Sequence, residues 1–279
     1  MTTKIALILG ATRGIGRALV SLLKQDLGDR GTVYFTARSE ADARRVEAEF
    51  LTEGLEVGGL ILDLAEPESP ARLAAEIMKR HDGLDFLVQN GAVMPRPGIP
   101  AAEDARPMIE ANSHGTLRVL RAFAPLMREN GHMLIVASKF GVLSFLPEHL
   151  ADRFRAAEGD PDAVNAIMDD YVRAAEAGIA EAEGWPDWVN IPSKVGQVAV
   201  TRAFAHCALS HGLLAPGVTI NSANPGVALT DATAGFMDTV FKGREVQTPQ
   251  EAAAGLLLAL GDNRLNGELI EHGKVLPFD

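Results

Sequence analysis

The sequence predicts an α/β protein: a doubly wound parallel sheet of seven strands, flanked by helices on both faces. Three observations carry that expectation. Short runs of β-type residues alternate with longer segments of helical apolar spacing along the chain, the order that builds parallel sheets. The first run opens directly into a glycine-rich turn, Gly10 to Gly16, where a strand of such a sheet passes into its helix. Apolar residues make up 47% of 279 positions, ample for a sizeable buried core.

The strand candidates are Ile5 to Leu9, Thr32 to Ala37, Val57 to Leu62, Phe86 to Gln89, Met133 to Ala137, Val218 to Ala223 and Glu268 to His272. Between them, Ile15 to Gln25, Ala41 to Glu53, Ala71 to His81, Glu103 to Arg128, Lys194 to His211 and Pro249 to Leu260 show helical spacing. The punctuation agrees. Ser69-Pro70 has the form of an N-cap followed by proline at the first helical position, and Thr248-Pro-Gln-Glu251 that of a capping box. An acidic, alanine-rich stretch from about Glu148 to Glu183 reads as a helical insertion spanning about 145–186 of one domain, 1–279. Residues of about 227–247, with Phe236, Met237 and Phe241, have the length and mixed polarity of a substrate lid.

Composition narrows the function. A net charge of -11 repels phosphodiester backbones and anionic lipid heads, so nucleic acid and membrane surfaces are not expected partners. No stretch approaches the roughly eighteen apolar residues of a membrane span, and the N-terminus does not read as a signal peptide. Cys207 is the sole cysteine, which fits a reducing cytoplasm and reads as a small core residue. The seven histidines lack metal-ligand spacing, so no metal is expected; His114 and His149 read as solvated or hydrogen-bonded side chains.

The turn Gly10-Ala-Thr12-Arg13-Gly14-Ile15-Gly16 reads as a pyrophosphate cradle. Glycine permits the tight turn at 10, close backbone approach at 14 and helix-to-sheet packing at 16, while the helix N-terminus offers free N–H groups. The second strand ends Thr36-Ala37-Arg38-Ser39, without the acidic residue that would repel a ribose phosphate. Arg38 and Arg13 are placed to grip a 2′-phosphate, which favours NADP(H) over NAD(H). Asp63-Leu64 and Asn90-Gly91 follow the third and fourth strands, at carboxyl ends where ligands of such sheets bind.

This order of motifs resembles the short-chain dehydrogenase/reductase family, over nearly the whole chain. Gly10 to Gly16 matches the family's GxxxGxG loop, Asp63 its adenine-contacting aspartate, and Gln89-Asn-Gly-Ala92 a variant of its Asn-Asn-Ala-Gly stretch. Asn112 matches the active-site asparagine, Ser138 the catalytic serine, and Lys194 the lysine of YxxxK. Pro225-Gly226-Val227 through Thr230 matches the PGxxxT loop beside the nicotinamide. The chain looks most like the monomeric carbonyl-reductase type, which carries an insertion and a GWP ahead of the tyrosine, here Gly184-Trp-Pro186. The resemblance implies a Rossmann-type fold and NADPH-dependent reduction of a carbonyl on a moderately large apolar substrate. It also implies that the insertion covers the surface by which most members dimerise.

Counting back four from Lys194 gives Asn190 where the family has its tyrosine. In the family mechanism the phenol protonates the carbonyl oxygen, the lysine lowers the phenol's pKa and holds the ribose, serine orients the substrate, and asparagine supports a water relay. An amide has no usable acid dissociation near neutral pH. Neither Tyr34, in the second strand, nor Tyr171, in the insertion, is spaced to replace it; Tyr171 folded over the site is the weaker reading beside a core tyrosine. Three accounts stand: a carbonyl reductase disabled at its acid; a reductase of an iminium or enone, with Ser138, Lys194 and Asn190 as a polar clamp; and a non-redox enzyme such as a cyclase or isomerase, or an NADP-binding partner protein. A lysine in the first helical turn opposes the helix dipole, which suggests an anionic or hydroxyl partner nearby.

Overall fold

The computed structural model describes residues 3–260 and 265–279. Its strands are β1 (Lys4–Leu9), β2 (Gly31–Ala37), β3 (Gly58–Ile61), β4 (Leu84–Gln89), β5 (Met127–Val136), β6 (Thr219–Ala223), β7 (Leu269–Glu271) and β8 (Lys274–Leu276). They form one sheet in the order β3-β2-β1-β4-β5-β6-β7-β8. All neighbours are parallel except β7 and β8. The helices are α1 (Gly14–Leu27), α2 (Glu40–Thr52), α3 (Ser69–Arg80), α4 (Ala101–Ile109), α5 (Gly115–Phe123), α6 (Glu148–Ala156), α7 (Pro161–Glu176), α8 (Asn190–Ser210) and α9 (Pro249–Leu257).

β1 shows why helices cover both faces. Its side chains alternate across the sheet: Ile5, Leu7 and Leu9 join Leu120, Phe123, Val195 and Ala199 on one side. Ala6 and Ile8 join Leu19, Leu23, Phe50 and Leu256 on the other. With both faces buried, the strand reads as a continuous apolar run, as parallel strands do. From β1 the chain winds outward to β2 and β3 and then returns to β4 on β1's other flank. That reversal makes the carboxyl ends of β1 and β4 the switch point of the sheet, where ligands of such sheets bind.

The structure differs from the sequence expectations in four places. An eighth strand, β8, folds back antiparallel on β7, pairing Glu271 with Lys274; at three residues it is too short to show a period. The helix expected over Glu103 to Arg128 is α4, one wide π-type turn at Glu110–His114, and α5. It stops before Pro125, whose missing N–H cannot continue the ladder, and β5 already begins at Met127. Ser69 is the first residue of α3 rather than its cap: its hydroxyl accepts the Asp63 N–H at 3.0 Å. α8 begins at Asn190, four residues earlier than expected, with Pro192 in its first turn where no N–H partner is needed. The Thr248 capping box forms, with Thr248 N–H donating to Glu251 Oε2 at 2.8 Å and Glu251 N–H to Thr248 Oγ1 at 3.2 Å.

The acidic stretch carries α6 and α7, whose core includes Phe154, Tyr171 and Trp185. Among the described residues no helix is long and apolar enough to cross a membrane.

Candidate active site

The end of β1 and the end of β4 are pinned together. Leu9 C=O accepts the Asn90 and Gly91 N–H groups at 3.0 and 2.8 Å, and Asn90 Nδ2 donates to Gly10 C=O at 2.9 Å. Gly10 has φ +72°, and a Cβ there would lie 2.4 Å from Gly91 Cα. A Cβ on Gly16 would lie 2.5 Å from Gly10 O. Two strands and α1 therefore approach more closely than any side chain allows. α1 starts after Arg13 with no side-chain cap and no acidic residue in its first turn. Its leading N–H groups and positive potential remain available to an anion. This backbone cradle fits a pyrophosphate. Thr12 is half-buried at the turn, and Ile15 packs beneath it on the α1 side of the sheet.

Arg38 lies exposed just past β2. Ser39 caps α2, accepting the Asp42 N–H at 3.1 Å; Ser39, Arg45 and Arg38 together hold the Asp42 carboxyl below its ordinary range. The two arginines expected to act together are engaged differently, because Arg13 Nη1 pairs with Asp231 Oδ2 at 2.7 Å. Asp63 Oδ1 accepts the Ala65 N–H at 3.0 Å, and Leu64 C=O accepts Arg118 Nη2 at 2.9 Å.

Asn112 sits fully buried in the wide turn between α4 and α5, and such turns recur at functional sites. Its Oδ1 accepts the Val93 N–H at 2.8 Å, and its Nδ2 donates to Val93 C=O at 2.8 Å and Ser193 Oγ at 2.9 Å. The amide thus ties the segment after β4 to α8. Ser138 follows β5, half-buried, its Oγ accepting the Phe140 N–H at 3.2 Å. Lys194 is 4% exposed, and its Nζ donates to Gln197 Oε1 at 2.8 Å. Burial pushes the ammonium down to about 8. It stands in the second turn of α8, not the first, and its partner is an amide rather than the expected anion or hydroxyl. Asn190 is 3% exposed, and its buried Oδ1 has no hydrogen-bond partner among the described residues. Asn190, Lys194, Gln197 and Thr201 share one stripe of α8 at helical spacing.

An aromatic wall stands beside this stripe. The Phe140 and Trp188 rings meet edge-on at 5.2 Å, and Trp188 and Phe236 at 6.1 Å; Phe241, Ile191, Val227 and Met237 complete the cluster. Residues 227–247 leave and return through a bridge between Ala228 and Gln247, with Gln247 N–H donating to Val227 C=O at 2.8 Å. Pro225 and Gly226, φ +75°, turn the chain into this segment. A Cβ on Gly14 would lie 3.3 Å from Thr230 Cγ2, so the segment meets the glycine turn.

The remaining candidates lie elsewhere. Tyr171 is 0% exposed, its ring 5.0 Å from Trp185 in the core of the insertion, where burial pushes its phenol pKa up. His114 contacts Asp169 at 3.0 Å, and His149 the Glu183 C=O at 3.0 Å. Cys207, expected in the core, is only partly buried and faces His211 Nδ1 at 3.5 Å. Among the described residues no group of three His, Cys, Asp or Glu could hold a metal ion. Sequence reading missed Gln197, Trp188 and Asp231. Gln197 lies three residues after Lys194 and was legible from helical spacing; the other two come from segments with no period.

A family model described as short chain dehydrogenase matches residues 4–147. The Rattus norvegicus protein named carbonyl reductase (NADPH) 3 is 31% identical over 236 residues, covering 82% of this chain and 83% of its own. The chain belongs to the short-chain dehydrogenase family. It is similar to these carbonyl reductases from end to end: the Rattus norvegicus protein named carbonyl reductase (NADPH) 1 is 27% identical over 279 residues, 98% of both chains. Two solved structures share the fold. Salutaridine reductase from Papaver somniferum superposes with a TM-score of 0.79 at 18% identity, over 95% of this chain and 99% of that one. Menthone neomenthol reductase from Mentha piperita gives 0.76 at 21%, over 96% and 98%.

Proposed function

We propose that this short-chain dehydrogenase is an NADPH-dependent reductase of a ketone or other carbonyl carried on an apolar, small organic substrate. The observation that carries the reading is Lys194, a lysine held 4% exposed with no carboxylate partner among the described residues. Burying a cation this way costs stability that packing does not require, and such groups concentrate at functional sites. The relatives named carbonyl reductase (NADPH) support both the cofactor and the carbonyl.

In this reading the N–H groups of the turn from Gly10 through Thr12, Arg13, Gly14, Ile15 and Gly16 bind the pyrophosphate. Arg38 meets the 2′-phosphate, Asp63 and Leu64 border the adenine, and Asn90 and Gly91 stand at the switch point. Lys194 holds the nicotinamide ribose, and Pro225, Gly226, Val227 and Thr230 flank the nicotinamide. NADPH supplies the hydride when bound. Ser138 donates its hydroxyl proton as a hydrogen bond to the substrate oxygen, and Asn112 keeps α8 in register with the strand ends. Phe140, Trp188 and Phe236 receive the apolar body of the substrate and exclude water. The insertion packs α7 over α4 and α8, which favours a monomer, and the sole cysteine suits the cytoplasm.

A second reading, reduction of a C=N bond, is favoured by Asn190 itself: hydride addition to an iminium ion gives a neutral amine with no proton to donate. Loss of NADPH absorbance over a panel of ketones, quinones, enones and cyclic iminium ions tests both, with the protein as it stands and as Asn190→Tyr. Ketone turnover that rises with tyrosine supports a carbonyl site weakened at its acid. Iminium turnover unimproved by tyrosine supports the second reading. NADPH bound but consumed by neither protein refutes a reductase.

A further inference from the structure

With Asn190 in the tyrosine position, ketone reduction still needs a proton for the oxygen. The polar groups gathered about Ser138 and the α8 stripe are Asn112, Ser193, Asn190, Gln197 and Thr201, all hydroxyls and amides that release no proton near neutral pH. Two lysines are the exceptions: Lys139, half-buried next to Ser138, and Lys194, buried on the same helical stripe as Asn190. Among the described residues, the hydrogen bond of Lys194 Nζ runs to a neutral acceptor, Gln197 Oε1 at 2.8 Å. A lysine amine donates that bond as well as an ammonium does, so the contact survives loss of a proton. Gln197 is fully buried, and among the described residues its Nε2 has no hydrogen-bond partner, so Oε1 carries the contact to Lys194.

The surroundings do not lock the charge in place. The elements packed on α8 carry acids and bases, Glu110, His114, Lys139, Asp169, Asp170 and Arg173 among them, yet burial is what moves the Lys194 ammonium, down to about 8. Asn190 stands one turn before Lys194 on the same stripe, is shorter than a tyrosine by a ring, and leaves its own Oδ1 unpartnered among the described residues.

We propose that Lys194 is the general acid of this site, giving an Nζ–H proton to the substrate oxygen. The step balances. A hydride from the reduced nicotinamide forms the new C–H bond, the carbonyl π pair moves to oxygen, and the Nζ–H pair stays on nitrogen as the proton leaves. Lys194 is then a neutral amine still donating to Gln197, and water returns its proton after the alcohol departs. Gln197 is a positioning residue. The inference rests on the ketone-reduction reading.

The test compares wild type, Lys194→Arg and Lys194→Met on an aryl ketone and on an N-methylated cyclic iminium ion. NADPH binding is followed by fluorescence, folding by thermal unfolding, and lysine titration by NMR of the cofactor-free protein. Arginine keeps the charge but cannot release a proton. The expected result is a loss of about 10²- to 10⁴-fold in ketone kcat for both variants, at least about tenfold greater than the loss with the iminium ion. A lysine signal missing from Lys194→Arg should titrate well below the other lysines. Ketone kcat retained within about threefold in Lys194→Arg overturns the proposal. So do ketone, iminium and NADPH binding falling in parallel, or a Lys194 signal that titrates with the rest. Wild type that reduces the iminium ion but not the ketone overturns the ketone reading and this role together, leaving the C=N reading. Wild type that consumes NADPH with neither overturns the reductase reading and this role together.

Discussion

Replacing Lys194 with methionine removes a buried ammonium while keeping a long unbranched side chain, and the effect on stability is calculable from the site. The lysine titrates at 10.5 in an open chain and at about 8 in the fold. At about 1.4 kcal/mol per pH unit, that gap is an order-of-magnitude penalty of about 3 kcal/mol. Below pH 8 both states are protonated and the folded protein carries the whole penalty. Between pH 8 and 10.5 the unfolded chain binds more protons than the folded one, so wild-type stability rises with pH; above 10.5 the penalty is gone. Methionine also leaves Gln197 Oε1 without its donor, costing about 1–3 kcal/mol at every pH. At neutral pH the two effects oppose, and Lys194→Met should lie between neutral and about 2 kcal/mol more stable than wild type. The decisive quantity is the change with pH. Urea unfolding of both proteins from about pH 7 to pH 10.5 should show wild type gaining about 3 kcal/mol on the variant, with other titrating groups cancelling in the comparison. A difference that stays flat over this range would mean that Lys194 is not desolvated, and the reasoning that makes it a functional group would fail with it.

Other perturbations reach other parts of the site. Asp231→Asn should free Arg13 and tighten NADPH binding up to about fivefold at low salt, because exposed pairs carry at most about 1 kcal/mol; fluorescence titration should show the gain fading as ionic strength rises. Gly10→Ala forces a Cβ to within 2.4 Å of Gly91 Cα at φ +72°. It should abolish dinucleotide binding in calorimetry and lower stability by at least about 1 kcal/mol. Thr248→Ala removes the capping box of α9 and should cost about 1 kcal/mol in urea unfolding, with NADPH affinity unchanged.

Much of the fold was legible because its signals are local. The apolar runs of β1, β2, β4 and β6 and the glycine turn follow from period and chain chemistry, and the capping box at Thr248 was written in four consecutive residues. Where expectations missed, a non-local contact decided. Ser69 looks like an N-cap, but its hydroxyl is taken by Asp63 N–H from across the turn. Lys194 looks like a helix-start cation, but the helix begins a turn earlier and buries it. Arg13 looks free for a phosphate, yet Asp231, 218 residues away, lies against it.

By itself the sequence determined the class of the sheet, the place of the nucleotide cradle and the absence of a tyrosine one turn before Lys194. Each is a property of spacing within a strand, a turn or one helix. Only the tertiary structure decided what surrounds that gap: an amide oxygen on Asn190 unpartnered among the described residues, a neutral partner for Lys194 in Gln197, and an aromatic wall from three separate segments. Burial and hydrogen-bond partnership arise from groups distant in the chain meeting in space. They, rather than residue identity, bring an ordinary lysine down to about 8.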